Sequence, residues 1–435
     1  MGKNSAEDTL MKKLAAIALL GAVITGAAQA EGLGVDPSAP MSDETGIRVP
    51  AGFKSVVFAD EVGRARHMAV SKSGWVYVAL RRQIDGFGAV ALKDTDGDGK
   101  ADLREYFAAG VSGTGMGIYG DKIYYGTNSY IIRWDLPEEG APKGDPEVIV
   151  SGMEDRSQHS DKPFTFDARG RLYVNIGAPS NACMEKMRTK GSPGMDPCPI
   201  LEEFGGVWRF DGNRPGQKQE DGERYATGIR NAMAIDWNHA AGSLYIAQHG
   251  RDQLASFFPD LYSNEMSAEL PAEEFHRVPR GADIGWPYGY VDASIESRVL
   301  MPEYGGDGKK TTDRGQMPLI AFPGHWAPND LIFIKGEGLP NGYRYGALIA
   351  FHGSWNRAPM PQAGYRVVFV PMDAAGNITG DWVTFADGFP GMEVVNSPRD
   401  AKHRPTGLAE GPDGALYISS LMSGGRIYRV TYEGN

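Results

Sequence analysis

Four short stretches of the sequence carry side chains of the kinds that bind anions or move protons, and a fifth stretch at an equivalent position carries Gly and Met. Histidine accepts a proton near neutral pH, and arginine presents a planar fork of donors that matches a carboxylate. Each stretch stands at the start of a repeated apolar segment, and together they supply Arg66 with His67, Gly115 with Met116, His159 with Asp161, Arg230 with Asn231, and His403 with Arg404. A single arginine or histidine is more often paired to a neighbour, so it is the equivalence of their positions that points to a site. Gathered in one place, these residues predict an anion-binding site that also holds a base.

The elements that must position these residues are copies of one pattern. Each copy has an alternating apolar segment, a turn containing Gly or Asp, and a second apolar segment that usually includes Leu-Tyr or Val-Tyr. Clear copies span 67–80, 117–128, 164–178, 233–250 and 406–419, and a degenerate sixth copy spans 345–355. A four-stranded blade buries its faces only against neighbouring blades, so six copies predict an all-β fold, a six-bladed β-propeller.

The predicted propeller brings the polar residues together. The innermost strand of every blade starts at the same end of the axis, so the residues before each inner strand converge on one mouth of the channel. We expect residues 31–435 to form a single six-bladed β-propeller domain with loop insertions. Gly and Pro punctuate the chain throughout, and no low-complexity segment marks a domain boundary.

Residues 1–30 have the layout of an N-terminal extension followed by a signal peptide. Two lysines precede the apolar run 14–24, and the small-residue ending Ala-Gln-Ala occupies 28–30. Met11 is the expected start of translation, and the mature protein should begin near Glu31. The apolar run is too short to cross a membrane. We therefore expect a periplasmic protein that is not membrane-spanning.

Charge and cysteine content narrow the class of protein further. The chain has 44 Lys and Arg against 55 Asp and Glu, a formal net charge of −11, which argues against nucleic-acid binding. Cys183 and Cys198 are its two cysteines. In an exported protein this pair favours one local disulfide, with two free thiols as the alternative.

A second kind of chemistry is carried by the acidic segment DTDGDGKAD at 94–102. Carboxylates at alternate positions of a tight loop point towards one centre and suit a hard cation such as calcium. The predicted ligands are Asp94, Asp96, Asp98 and Asp102, a carbonyl from Lys100, and Glu105 as the twelfth loop residue. We expect this calcium to be structural; an acidic surface turn without an ion is the alternative.

Several longer segments resemble the signature segments of a known family. They are 159–183, 225–237, 247–254, 281–290, 351–359 and 404–419. In order and content they are similar to those of the glucose/sorbosone dehydrogenases that depend on pyrroloquinoline quinone (PQQ). The resemblance covers nearly all of the expected mature chain. The GHWAP and HGSWNR motifs favour the soluble aldose or L-sorbosone type over the glucose dehydrogenase type.

The resemblance implies a sugar dehydrogenase that transfers hydride from a sugar carbon to PQQ and passes electrons to an external protein or quinone acceptor. His159 corresponds to the family's general base, a task that suits imidazole. Asp161 either orients this imidazole or caps a turn. Arg230 and Asn231 match an Arg-Asn pair whose arginine polarises the quinone oxygen.

The remaining site residues follow from the same resemblance. Further cofactor-binding residues are Arg66, His249, Arg357 and Arg404. A second calcium would be held by the backbone carbonyls of Gly250 and Arg251. The chain departs from the family by having one arginine at 404 in place of a pair, and Asn356 in place of a lysine. These two departures put the anion clamp in doubt.

Two other function classes stay open on the sequence alone. A calcium-dependent lactonase can use a six-bladed propeller with the channel ion as Lewis acid, although its site calls for carboxylates and amides rather than Arg and His. A non-catalytic binding propeller is the second alternative. The loops 201–219 and 292–316 carry no motif that names a substrate.

Overall fold

Mainly antiparallel strands build the fold in a computed structural model, which describes residues 32–156, 158–336, 338–422 and 424–434. The first strand, β1 (Phe53–Asp60), precedes three blades. Blade 1 holds β2 (Ala65–Val70), β3 (Val76–Ile84), β4 (Phe87–Lys93) and β5 (Leu103–Ala109). Blade 2 holds β6 (Gly113–Tyr119), β7 (Lys122–Thr127), β8 (Ile131–Asp135) and β9 (Glu147–Ser151). Blade 3 holds β10 (Phe164–Phe166), β11 (Arg171–Ile176), β12 (Gly206–Asp211) and β14 (Glu223–Thr227), while β13 (Gln217–Lys218) joins the edge of blade 2.

The second half of the chain supplies three more blades. Blade 4 holds β15 (Ala234–Asn238), β16 (Ser243–Gln248), β17 (Glu273–Val278) and β21 (Ile320–Phe322). Its insertions are α1 (Leu254–Phe257), α2 (Asn264–Glu269), β18 (Ala282–Asp283) on the edge of blade 3, and the hairpin β19 (Gly289–Asp292) with β20 (Ser297–Leu300). Blade 5 holds β22 (Pro328–Phe333), β23 (Ala347–Phe351), β24 (Arg366–Val370) and β25 (Val383–Ala386). Blade 6 holds β26 (Pro405–Glu410), β27 (Leu416–Ser420) and β28 (Arg426–Tyr432).

The ring closes by pairing the two ends of the chain. β1 pairs antiparallel with β28, from Phe53 opposite Tyr432 to Asp60 opposite Arg426, and so becomes the outer strand of blade 6. The six inner strands β2, β6, β10, β15, β22 and β26 pack side by side around the axis. The predicted six-bladed β-propeller is confirmed.

Six apolar clusters fill the six interfaces between neighbouring blades. The tyrosine that recurs in the sequence pattern forms hydrogen bonds across these interfaces. Tyr77, Tyr124 and Tyr245 each donate a hydroxyl hydrogen bond of 2.9 to 3.0 Å to a glycine carbonyl of the next blade. The ring therefore buries its apolar surface between blades while satisfying the buried hydroxyls.

One repeat lies elsewhere than predicted. The inner strand of blade 5 is β22 at Pro328–Phe333, upstream of the predicted copy at 345–355, which supplies only the second strand. The 13 residues between β22 and β23 include the 3₁₀ turn Asn341–Tyr343, and this insertion separates the two halves of the repeat.

The two cysteines are joined. Cys183 and Cys198 form a disulfide across a separation of 15 residues, which confirms the prediction of a local bridge. Trp286 and Tyr288 pack on it, and the Tyr288 hydroxyl accepts from the Cys198 amide at 2.9 Å. No helix in the described part of the chain is long and apolar enough to cross a membrane. The predicted signal peptide lies outside the described residues.

Candidate active site

The inner strands begin irregularly at the mouth where the polar residues were expected. In four blades the pairing of the inner strand with its neighbour shifts register at the first residues of the inner strand, between Ala65 and Met68, Gly113 and Gly115, Pro328 and Asp330, and Pro405 and Gly407. Bulges of this kind turn side chains away from the regular alternation of a strand. Arg66 and His67 lie inside the first of them, and both are buried.

His159 is held as a neutral imidazole with one nitrogen available. Its Nδ1 lies 2.5 Å from the carbonyl oxygen of Ala178. Because a carbonyl only accepts, Nδ1 carries the proton and Nε2 keeps a lone pair. Burial, followed by the nearby Arg230 guanidinium, lowers the pKa of His159 to about 3. This is the tautomer and charge state that a general base needs.

Gly177 allows the base and its neighbour to approach closely. A Cβ on Gly177 would lie 2.6 Å from the Cβ of His159 and 2.7 Å from the Oδ1 of Asn231. That Oδ1 accepts from the Asn175 amide at 3.2 Å, and the Asn231 carbonyl accepts from the His249 amide at 2.9 Å. A side chain larger than hydrogen at 177 would separate His159 from Asn231.

Arg230 is bound to a carboxylate that it shares with a second arginine. Its Nη2 donates to Asp252 Oδ2 at 2.9 Å, and Arg188 donates to the same oxygen at 2.7 Å. Arg188 belongs to the disulfide-closed loop, so this loop contributes a cation to the site. The Nε of Arg230 is buried and has no partner among the described residues. Arg230 therefore retains a donor for a ligand.

Asp252 is fixed from several sides. Asn181 accepts from its backbone amide at 2.8 Å and donates to its carbonyl at 3.0 Å, and the Asn356 side-chain amide donates to its Oδ1. Although burial opposes ionisation, the charges of Arg230 and Arg188 hold the pKa of Asp252 below its usual range. Asn356 thus supplies an amide that restrains this carboxylate.

Arg66 is the least satisfied cation of the site. Only 4% of its surface is exposed, and its side chain makes no hydrogen bond with any described residue. Burial lowers its pKa to about 10, so it stays charged at neutral pH. A buried arginine without an acceptor is costly unless an anion completes it.

The balance of charge around the mouth is positive. Five arginines lie in this region, namely Arg66, Arg81, Arg188, Arg230 and Arg404. Their ionised carboxylates are Asp161 and Asp252, whose pKa values are lowered by these arginines. Burial raises the pKa of Glu273 to about 8, so this acid is mostly neutral at pH 7, and burial also raises the pKa of Asp330 well above its ordinary value.

Arg404 and Arg357 have different positions. Arg404 binds the 352–353 turn, donating from Nε to the His352 carbonyl at 2.8 Å and from Nη2 to Gly353 O at 2.7 Å, while its Nη1 makes no bond with a described residue. Arg357 donates to carbonyls of Ala268 and Pro361 and to the Glu269 carboxylate. Its guanidinium thus holds α2 in this structure, and a cofactor contact from Arg357 stays a prediction.

The turn after β16 is rigidly placed. His249 donates from Nε2 to the Pro328 carbonyl at 2.6 Å, and the Gly250 amide donates to Glu273 at 2.9 Å. The Arg251 side chain turns away into a fully buried ion pair with Glu303. The carbonyls of Gly250 and Arg251 accept no hydrogen bond from a described residue, so both oxygens remain available as ligands.

Two other predicted contacts differ in the structure. Asp161 does not orient His159, because its carboxylate accepts from Arg81 at 2.6 Å and from the Thr114 hydroxyl at 2.6 Å. His403, which the sequence indicated as part of the predicted anion site, is buried, and its Nδ1 lies 3.2 Å from the Ser420 hydroxyl oxygen. The group that orients His159 is a backbone carbonyl, which leaves no mark in the sequence.

The acidic loop brings together part of its predicted ligand set. Carboxylate oxygens of Asp94, Asp96 and Asp102 lie within 4.8 Å of one another. Asp98 accepts from the Lys100 amide and is outside this group. Glu105 is part of β5 and accepts from the Ala141 amide at 2.9 Å, so it is not the twelfth ligand. The loop ends at a strand here, which carries Glu105 away.

The opposite ends of the inner strands enclose a cavity of about 690 Å³. It is lined by residues such as Lys72, His239 and Lys335. Arg66, His159, Arg230 and Arg404 do not line it. These four residues lie apart from this cavity, whereas His67 and Met116 line it.

Stability should depend on pH with a maximum near 6.5. Burial lowers the pKa of His67, His249 and His403 to about 4, so between pH 6.5 and 4 the unfolded chain binds protons that the folded chain does not. Folding is therefore destabilised as the pH falls through this window. The raised pKa of Glu273 acts oppositely, because above pH 4.5 the unfolded chain loses a proton that the folded protein keeps to about pH 8.

Differential scanning calorimetry of the protein from pH 4.5 to 8 measures this directly. We expect Tm to rise to about pH 6.5 and then to decline. Glu273→Gln should flatten the decline above pH 6.5 and steepen the rise between pH 4.5 and 6.5, because the wild-type carboxyl opposes the histidines in that range. A wild-type Tm that rises steadily through pH 8 would contradict the assignment of a neutral Glu273.

The sequence did not indicate four residues of the site, or indicated them only weakly. They are Asn181, Arg188, Asp252 and His352. Arg188 and Asn181 occupy the disulfide-closed loop and the segment before it, and no repeat covers that region. His352 accepts from Arg404 at Nδ1, at 2.6 Å. The sequence could have indicated His352 through its position directly after the apolar segment that forms β23.

Two curated proteins are similar to part of this chain. A PQQ-dependent pyranose dehydrogenase of Coprinopsis cinerea is 28% identical over 227 residues, which are 45% of this chain and 30% of that protein. An uncharacterized protein of Borreliella burgdorferi is 25% identical over 218 residues, half of each chain. The chain thus spans half or less of the length of the curated relatives it matches.

Solved structures show the same fold. The holo PQQ domain of the Coprinopsis cinerea pyranose dehydrogenase superposes with a TM-score of 0.71 at 20% identity, covering 91% of this chain and 99% of that one. The calcium structure of a Trichoderma reesei enzyme of carbohydrate-active family AA12 gives 0.70 at 17% identity, with coverages of 91% and 99%. The soluble aldose sugar dehydrogenase of Escherichia coli gives 0.57 at 14%, with coverages of 87% and 99%. A family model described as TrAA12-like matches residues 47–433, and the chain therefore belongs to the TrAA12-like family.

Proposed function

We propose that this protein oxidises a sugar hydroxyl, with PQQ at the arginine-rich mouth as the electron acceptor. The observation that carries the proposal is a neutral histidine with a free Nε2, set among buried arginines whose donors are incompletely used. Such a site suits an anion of several charges beside a group that loses a proton. The relatives that are named by activity are PQQ-dependent sugar dehydrogenases.

The residues present fit PQQ, which carries three carboxylates. Arg66 offers a buried guanidinium without an acceptor, Arg230 an unpartnered Nε, and Arg404 a free Nη1. Each can donate a charge-assisted hydrogen bond to a carboxylate or a quinone oxygen. When bound, PQQ supplies a carbonyl carbon that accepts hydride from the sugar.

His159 removes the hydroxyl proton as the hydride leaves the sugar carbon. The Ala178 carbonyl keeps the proton on Nδ1 and presents Nε2 to the substrate. The negative charge of a bound anion favours the protonated imidazole and so raises the pKa of His159 from about 3 towards a value useful for a base. Deprotonation of the hydroxyl and loss of hydride together convert the alcohol carbon to a carbonyl, giving a lactone from a cyclic aldose.

Arg230 stabilises negative charge that develops on the acceptor oxygen. Its side chain is fixed by Asp252 and by Asn181 Oδ1, at 2.9 and 3.1 Å. A cation held in place before the reaction needs no reorganisation at the transition state. Asn231, fixed by Asn175, presents an amide beside His159 for the same purpose.

The proposal includes two calcium-binding sites. The carbonyls of Gly250 and Arg251 have no hydrogen-bond donor among the described residues and would hold an ion at the cofactor. The carboxylates of Asp94, Asp96 and Asp102 would hold a structural ion.

The structural calcium predicts a stability effect. With the protein free of PQQ, calcium at a hundred times its Kd should stabilise the fold by about 2.7 kcal/mol, which raises Tm. The double variant Asp94→Asn with Asp96→Asn should lose most of this response. Asp373→Asn is the control, because Asp373 also accepts turn amides, from Ala375 and Asn377. Equal calcium responses in the double variant and the wild type would reject this ion site.

The substrate class proposed is a reducing sugar or sugar aldehyde, including the aldose and sorbosone types, with electrons passed to an external acceptor in the periplasm. A lactonase is disfavoured because the described residues of the mouth include five arginines, set against the ionised carboxylates of Asp161 and Asp252. A purely binding propeller is disfavoured by the fixed tautomer of His159.

The experiment is to add PQQ and calcium to the purified protein and to follow dye reduction with a panel of aldoses and sugar aldehydes, omitting each addition in turn. Sugar-dependent reduction that requires PQQ supports the proposal. Hydrolysis of sugar lactones without PQQ would favour the lactonase, and absence of both activities with retained sugar binding would favour the binding propeller.

A further inference from the structure

Trp355 is unlike the other tryptophans of the chain. It exposes 53% of its surface, whereas six of the other seven expose 7% or less. The seventh, Trp382, is partly buried and packs on the rings of Phe322 and Trp326. Trp355 has no aromatic or cation–π partner among the described residues. An indole left open to water has forgone most of the stabilisation that its burial would give.

The backbone around Trp355 is fixed. On one side Arg404 binds the carbonyls of His352 and Gly353 at 2.8 and 2.7 Å. On the other, Arg357 binds the Ala268 carbonyl at 2.6 Å and the Glu269 carboxylate at 2.5 Å. The exposed indole is therefore carried on a segment with little freedom, and binding a ligand there costs little ordering entropy.

The same segment reaches the proposed active site. Asn356, the next residue, donates from its side-chain amide to Asp252 Oδ1, and Asp252 Oδ2 receives Arg230 at 2.9 Å. The residue next to Trp355 is thus linked through Asp252 to Arg230, the arginine of the proposed reaction centre. It also follows the end of β23, on the side of the ring where the inner strands begin.

We infer that Trp355 is the platform on which the ring of the sugar stacks, and that it selects closed pyranose rings over open-chain polyols. A pyranose has an apolar face of C–H groups, which packs on the electron-rich face of an indole. An open-chain polyol has no such face. The inference rests on the proposed function and adds a specificity-determining residue to it.

Steady-state kinetics of the PQQ-loaded enzyme test the inference. Using D-glucose and D-galactose, Trp355→Ala should raise KM about tenfold, the equivalent of about 1.4 kcal/mol, while kcat changes less than threefold. Trp355→Phe should recover part of the affinity. Val148→Ala is the control, since Val148 is an exposed apolar side chain of the outer strand β9 of blade 2 that the proposal does not involve, and its KM should stay at the wild-type value.

A fluorescence measurement gives a readout besides activity. Because Trp355 is the most exposed tryptophan, acrylamide should quench mainly its emission. D-glucose should reduce this quenching in the wild type, sorbitol should not, and Trp355→Phe should remove the sugar-sensitive fraction.

The two measurements separate this inference from the proposed function. Sugar oxidation with an unchanged KM in Trp355→Ala would overturn the platform and leave the dehydrogenase intact. Absence of sugar oxidation with glucose protection of Trp355 would overturn the dehydrogenase and keep the platform. A lower Tm with unaltered KM and quenching would assign Trp355 to packing, which also overturns the inference.

Discussion

Replacing His159 by alanine should lower kcat for sugar oxidation by about a thousandfold, within the range of 10² to 10⁴ that general-base catalysis supplies. The loss follows from the geometry, since Nε2 of His159 is the available lone pair and its Nδ1 is committed to the Ala178 carbonyl at 2.5 Å. Binding of PQQ, measured by isothermal titration calorimetry, should change less than threefold because the arginines remain.

His239→Ala is the matched control for this variant. His239 lines the cavity at the opposite ends of the inner strands and should leave kcat at the wild-type value. Turnover by His159→Ala at the parental rate would assign the base to another group. A comparable loss in His239→Ala would show that the effect of removing a histidine is one of stability.

Replacing Arg66 by glutamine should weaken PQQ binding by ten- to a hundredfold without destabilising the protein that lacks the cofactor. Arg66 is buried and has no hydrogen-bond acceptor among the described residues. Asp161 offsets part of its charge, but the buried guanidinium gains a hydrogen-bonded acceptor only when an anion binds. A charge-assisted hydrogen bond of about 1.5 to 3 kcal/mol corresponds to the predicted loss of affinity. The measurements are calorimetric titration with PQQ and the Tm of the protein without it.

Arg133→Gln should behave in the opposite way. Arg133 is also buried, but it is fully engaged with Glu147, the Tyr124 hydroxyl and the Gly212 carbonyl between blades 2 and 3. Its loss leaves buried acceptors unpaired, so Tm should fall while PQQ affinity is unchanged. If Arg66→Gln lowers Tm as much as Arg133→Gln and binds PQQ normally, Arg66 is a structural residue.

The fold could be predicted because each blade repeats a local pattern. Alternation and turn residues mark two adjacent strands, and the hydroxyl of Tyr77 or Tyr245 then bonds to the next blade. The pattern failed where it was interrupted. In blade 5, 13 residues intervene between β22 and β23, so the sequence placed the sixth copy on the second strand alone.

The site could be predicted only as far as equivalent positions and family resemblance reach. They led us to predict His159, Arg230 and Arg66 as site residues. They missed contacts between residues far apart in sequence, such as Arg188 with Asp252, 64 residues later. Nor does a sequence show which arginines already have acceptors, and for this reason Arg357 was expected at the cofactor although it holds α2.

The acidic loop illustrates a different limit. Spacing alone placed Glu105 twelfth, but β5 begins at Leu103 and its regular pairing carries Glu105 to the Ala141 amide. Motif counting assumes that the loop continues to its last ligand. Here the strand takes precedence, because its backbone hydrogen bonds and packing fix the direction of each side chain.

The central claim is that the arginine-rich mouth binds PQQ within reach of a base and a sugar. The most direct test is a single turnover, in which the protein loaded with one equivalent of PQQ is mixed with an aldose in the absence of any acceptor and the cofactor's absorption is followed. We expect stoichiometric reduction of PQQ in the wild type, slowed about a thousandfold in His159→Ala. Bound PQQ that stays oxidised in the presence of every aldose and sugar aldehyde, or PQQ that does not bind at all, would contradict the account.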